Sequence, residues 1–109
     1  LLIKIFINAD TEVKAIKVYN EFIEKIGNFI EEEKNIKIEP YWKYDDMYVI
    51  ETIIILTCTP NDMQFQEFLH KISDKWQFFG LPIDEALASI NSDGCSYMIN
   101  GINMINIFY

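Results

Sequence analysis

The stretch MYVIETIIILTCTPNDMQFQEFLHKISDKW, Met47 to Trp76, decides how this chain folds. Its first part is apolar and β-branched. Tyr48, Ile50, Ile54, Leu56 and Cys58 fall on one side of a strand over about 47–58. Val49, Ile53 and Ile55 give the other side apolar character as well. Two-sided apolarity predicts a central strand. Thr59-Pro60-Asn61-Asp62 then reads as a helix start, with Thr59 as the cap, Pro60 in the first turn and Asp62 where a capping box wants a carboxylate. Met63, Phe65, Phe68, Leu69, Ile72 and Trp76 recur at helical spacing, so a helix is predicted to about residue 76.

Upstream, residues 2–8 alternate. Ile3, Ile5 and Ile7 point one way, and Lys4, Phe6 and Asn8 the other, as a strand requires. Asp10 or Thr11 supplies a cap, with Glu12 in the first turn. Val13, Ile16, Tyr19, Phe22, Ile23, Ile26, Phe29 and Ile30 predict one long amphipathic helix over 11–33. Gly27 inside it suggests a closely packed neighbouring backbone, and Glu31-Glu32-Glu33 reads as a solvated helix end. A second strand follows, with Ile36, Ile38 and Trp42 on one face and Pro40 marking it as an edge or a bulge. Lys43 to Met47 is a turn.

Downstream, Phe79-Gly80-Leu81-Pro82 breaks the helix, and residues 84–90 read as a short third helix. Asn100-Gly101 is a hairpin signal between Cys95–Ile99 and Ile102–Phe108. The order is β-α-β-β-α-(α)-β-β, in one domain over residues 1–109. The expected class is α+β. A mostly antiparallel sheet carries two main helices on one face, in a ferredoxin-like β-α-β-β-α-β arrangement with an extra C-terminal hairpin strand. A continuous antiparallel meander covered by the helices is the alternative.

The 109 residues hold 17 acids against nine bases, a net charge of −8. Every base is lysine. Arginine is the preferred bidentate ligand for phosphates and guanine edges, and an acidic field repels a phosphate backbone. Nucleic acid is therefore not an expected partner. A basic protein is, because the same field would speed its encounter. The longest uninterrupted apolar run, Ile53-Ile54-Ile55-Leu56, is far short of the ~20 residues of a membrane span. The opening LLIKIFI carries a lysine and lacks a cleavage site of small residues. The expectation is a cytoplasmic protein with no membrane partner.

The residues offer little chemistry. Cys58 and Cys95 are expected to be buried free thiols rather than a disulfide. His70, the one histidine, lies beside the Leu69/Ile72 stripe and reads as structural. A Cys95–His70 nucleophilic pair would need an orienter and an oxyanion hole, which the surrounding sequence does not suggest. One histidine and two isolated cysteines make no metal spacing. No glycine-rich loop awaits a phosphate. The expectation is no enzyme, no metal and no cofactor.

What remains is surface. Glu39-Pro40-Tyr41-Trp42-Lys43-Tyr44-Asp45-Asp46-Met47-Tyr48 is dense in aromatics and acids, a composition found at binding hot spots. Tyr41 and Tyr44 are expected to be exposed. A second candidate is the long 78–94 connection. In length, acidity, element order, the Thr59-Pro60-Asn61-Asp62 helix start and the Lys71-Ile72-Ser73-Asp74-Lys75-Trp76 helix end, the chain resembles immunity proteins of bacterial contact-dependent growth inhibition and other polymorphic toxin systems. That resemblance implies a cytoplasmic inhibitor that binds the C-terminal domain of one cognate toxin, often a basic nuclease, and blocks its active site. It brings no catalytic residues. On this reading Glu31, Glu32, Glu33, Glu39, Asp45 and Asp46 steer the partner, while Tyr41, Trp42 and Tyr44 anchor it. The alternative is a small-molecule-binding or sensory α+β domain without catalysis.

Overall fold

The computed structural model describes residues 1–109, apart from the side chains of Asn35 and Ile36. The expected placement of Ile36 on a strand face therefore lies outside the described residues. Strand β1, Leu2–Asn8, runs through the middle of the sheet. Its alternation puts Ile3, Ile5 and Ile7 fully inside. Helix α1, Glu12–Ile26, follows, capped by Thr11, whose side chain accepts from the Lys14 amide at 3.2 Å. A 3₁₀ turn at Gly27–Phe29 leads into β2, Ile30–Pro40. Then come β3, Met47–Leu56, and α2, Met63–Ile72. Three strands close the chain: β4 at Gln77–Phe79, β5 at Glu85–Ser89 and β6 at Ile102–Phe108.

The six strands form one antiparallel sheet in the order β2-β3-β1-β6-β5-β4. The β2-β3-β1-β6 part is the ferredoxin-like arrangement, and β4 and β5 extend it beyond β6. Ala15, Tyr19, Phe22 and Ile26 of α1 and Phe65, Phe68, Leu69 and Ile72 of α2 pack on the face that Ile3, Ile50, Ile54, Ala86, Ile105 and Ile107 present. Both helices therefore cover one side of the sheet, as expected.

Several local expectations are corrected. Helix α1 stops at Ile26, and Glu31-Glu32-Glu33 lies in β2, because pairing with β3 extends the chain from Ile30 onward. The inward stripe of α1 runs through Ala15 rather than Val13 and Ile16, which are exposed. Gly27 is right-handed (φ −54°), and a Cβ there would meet nothing within 4 Å, so no backbone packs against it. The cap of α2 is Asp62, which accepts the Phe65 amide at 2.8 Å and the Thr59 amide at 3.1 Å. Helix α2 ends at Ile72, where Trp76 donates its indole N–H to the Leu69 and Ser73 carbonyls, 3.0 Å each. Residues 85–89 form a strand, not a helix. The added pairing at the last strand is present, but its partner is 85–89 instead of 95–99. Segment 95–99 contributes only a single bridge, Met98 to Ser73. At Gly101 (φ +89°) a Cβ would stand 2.8 Å from Val18 Cγ2, so this glycine lets the last connection close onto α1.

Two substitutions test this packing. Gly27→Ala keeps its backbone angles and gains helix propensity, so it raises unfolding free energy by about 0.5–1 kcal/mol. Gly101→Ala meets both a positive φ and Val18, so it lowers it. Urea unfolding followed by circular dichroism reads both.

Candidate functional site

The two sides of the sheet differ. One is sealed by helices, and the other lies open to solvent. At one end of the open side, the β2–β3 connection builds a compact turn. Pro40 ends β2, the Tyr41 amide donates to the Met47 carbonyl at 2.8 Å, and Asp46 adopts a left-handed conformation (φ 57°). The Ala9 amide donates to the Asp46 carbonyl at 3.0 Å, which ties the turn to the start of α1.

This geometry sorts the aromatics. Phe6, on the outward side of β1, meets the Tyr41 ring edge-on at 5.2 Å between centroids. Tyr41 in turn lies 5.9 Å from both Trp42 and Tyr44. Tyr41 is half-buried by these contacts, against expectation, because strand alternation stops at Pro40 and the ring folds back over the sheet. Trp42 shares no strand face with Ile38. It stands out at 87% exposure, with Tyr44 at 53% as expected. Lys43 Nζ lies 5.4 Å from the Tyr44 ring centre, a cation–π contact. Beneath the turn is a half-open groove of about 410 Å³, lined among others by Phe6, Tyr41, Tyr44, Asn91 and Met104. Asp45 and Asp46 are exposed beside it. Around Asp46, Asp10 accepts from Lys14 Nζ at 2.8 Å, which pulls the Asp10 carboxyl down and pushes the Lys14 ammonium up.

The nine expected site residues separate into two groups. Glu39, Tyr41, Trp42, Tyr44, Asp45 and Asp46 gather around the turn. Glu31, Glu32 and Glu33 sit at the far end of β2, six to eight residues from Glu39 and so roughly 20–26 Å away along the strand. Glu39 is ion-paired to Lys37 at 3.2 Å. Glu33, itself exposed, faces the helix-covered side and accepts from Tyr19. The Tyr19 hydroxyl donates to Glu33 Oε2 at 2.6 Å and lies 3.0 Å from Thr52 Oγ1, which donates to the Lys34 carbonyl at 2.7 Å. Burial, then the Glu33 hydrogen bond, pushes the Tyr19 phenol well up. Phe6, Asn91 and Met104 were not singled out as site residues in the sequence. Phe6 and Met104 meet there because β1 and β6 are neighbours in the sheet, and Asn91 because β5 pairs with β6.

The 78–94 candidate spans most of the β4–β5 hairpin and the start of the β5–β6 connection, with Phe79 and Leu81 exposed near the hairpin tip. Cys58 and Cys95 are free and half-buried, less buried than expected, and burial pushes the Cys58 thiol up. Cys95 Sγ lies 3.8 Å from Ser73 Oγ. His70 is exposed. Asp74 holds the 95–97 segment by accepting from the Ser96 hydroxyl and the Ser96 and Tyr97 amides, and the hydroxyl bond leads in lowering its carboxyl. Among the described residues, no group of three His, Cys, Asp or Glu side chains is placed to hold a metal ion. No helix among them is long and apolar enough to cross a membrane.

Comparison of the chain with protein-family models, with curated proteins and with solved structures finds no match in any of the three.

The Tyr19 network gives a testable pH dependence. A phenol whose folded pKa is raised contributes its stability fully below the ordinary value near 10 and loses it as pH rises above that value. Tyr19→Phe therefore costs about 1–2 kcal/mol at neutral pH. It also flattens the loss of stability between about pH 10 and 11 relative to the parent chain. Denaturant titrations of the two proteins at pH 7, 10 and 11 check this.

Proposed function

We propose that this protein is a non-catalytic inhibitor of the immunity type, which acts in the cytoplasm by docking on the basic domain of a cognate toxin and covering its active site. One observation carries the reading: Trp42 projects at 87% exposure from a turn whose other members are held in place. An indole in water is an unfavourable surface for a protein to present, and Trp and Tyr dominate binding hot spots. The anchor is also pre-organised, since Tyr41 is pinned on Phe6 and the turn is bonded to Ala9, so little ordering entropy is lost on docking. Asp45 and Asp46 add a local negative charge to a chain already at −8, which favours a cationic groove as the docking target. A nuclease domain that holds a phosphate backbone has such a groove.

The half-open groove under the turn favours a second reading. Its volume falls within the range of small-molecule sites, and its lining mixes rings with amide side chains. A binding module for a small ligand would show a melting temperature that rises with ligand concentration.

Co-expression with a toxic C-terminal domain from a neighbouring gene tests the inhibitor reading, with rescue of growth expected. In binding kinetics with that domain, replacing Asp45 and Asp46 together by Lys slows association steeply at low salt and little at high salt. Trp42→Ala acts on the other rate. It speeds dissociation, with a loss of about 2–4 kcal/mol in affinity. An unchanged association rate removes the acidic pair from the docking surface, and an unchanged dissociation rate removes the indole.

A further inference from the structure

We propose that this protein pairs with a second copy of itself through the open face of its sheet. The inference does not rest on the 41–46 turn or on a toxin partner. An antiparallel sheet that faces water usually carries polar side chains on its wet side. Here the registers of β3, β1 and β6 line up two apolar rows on that side. Ile53, Leu2 and Phe108 are directly opposite one another, and so are Val49, Phe6 and Met104. Between them runs a polar row, Glu51, Lys4 and Asn106, in which Lys4 Nζ and Glu51 Oε1 are 3.6 Å apart.

Charge identifies the occupant. The strand registers place three lysines on this face, Lys4, Lys34 and Lys37, against four glutamates, Glu32, Glu39, Glu51 and Glu85. The rest of the chain holds six lysines against thirteen acids. This face is thus nearly neutral on a strongly acidic molecule. A cationic partner gains little by seeking it, whereas a second acidic copy can approach here without the repulsion it meets elsewhere. The pattern is also self-complementary. A two-fold axis parallel to the strands, between β1 and β3, lays Leu2 on Ile53 and Phe6 on Val49 of the second copy, with Phe108 and Met104 over the stems of its Lys34 and Glu39. It sets Lys4 against Glu51 of the second copy twice over, an isologous contact. Strands of the two sheets then run nearly aligned, the usual way for sheets to pack. With this axis the four strands β2, β3, β1 and β6 overlap their counterparts. Four strands about 4.8 Å apart and seven residues long cover roughly 440 Å², about half the ~800 Å² per partner of a standard interface, as suits a weak dimer.

Sedimentation velocity over a concentration series in the micromolar-to-millimolar range tests this. The expected species has twice the 12.9 kDa mass of the chain. Lys4→Glu and Glu51→Lys each raise the dimer dissociation constant about tenfold, since each sets like charges against one another. The double variant restores the parent value. Ile53→Lys, at an already exposed position, abolishes the dimer while circular dichroism shows the fold retained. A chain that stays monomeric throughout overturns the proposal. So does a dimer indifferent to Ile53→Lys, or a double swap as weak as the single ones.

Discussion

Everything in this molecule hangs on the pairing of β1 with β3 on one side and β6 on the other. Ile3, Ile5 and Ile7 point into the core from the centre of that three-stranded unit, and all three are completely shielded. Each of these side chains contributes about 1.5–3 kcal/mol of burial. A one-residue slip in either register would turn all of them to the solvent side and bring Lys4 inside. The register is therefore strongly specified, and with it the position of every residue on the outward side, from Phe6 beneath the Tyr41 ring to Lys4 beside Glu51.

The same constraint creates the asymmetry that bears on function. Two helices suffice to cover one face, and both crossover connections place them on the same one. The opposite face is left with its own surface chemistry: an aromatic turn at one end, a groove beneath it, and paired apolar rows along the middle. On the covered side the Tyr19 and Thr52 hydroxyls are satisfied by each other, by Glu33 and by the Lys34 carbonyl, whereas the Tyr109 hydroxyl, packed beside Phe65, is buried with no partner among the described residues. One short acidic run thus divides its work, with Glu32 facing the open side and Glu33 turned to the helix side, where it accepts from Tyr19.

Where reading the residues succeeded and failed has a physical explanation. Strand β1 was legible because alternation over seven residues is a strong pattern, and β3 because its ten-residue run is apolar on both sides, as a central strand requires. The ferredoxin-like order followed from them. Residues 85–89, EALAS, have helix-forming composition and still form a strand. Sheet pairing on both edges overrides local preference there, and Ala86 and Ala88 are buried in the core. Glu31 to Glu33 were misplaced for the same reason. Asp62 rather than Thr59 caps α2 because both candidates can fill the role, and only the geometry of the turn chooses. Of the site, the aromatic and acidic turn was visible in composition alone. The division of its rings into a half-buried Tyr41 and a projecting Trp42 was not, since it depends on Phe6 from a strand more than thirty residues away in the chain.

Composition and short-range periodicity were enough to establish an acidic, arginine-free α+β chain built around one alternating strand and one apolar on both sides, because those properties are carried by each residue and its near neighbours. Which face of the sheet stays open, which acids stand beside the aromatics, and that two apolar rows flank a charged one are matters of contact between distant segments. They were decided only when β1 took β3 and β6 as its partners, since long-range register has no signature in any single stretch of chain.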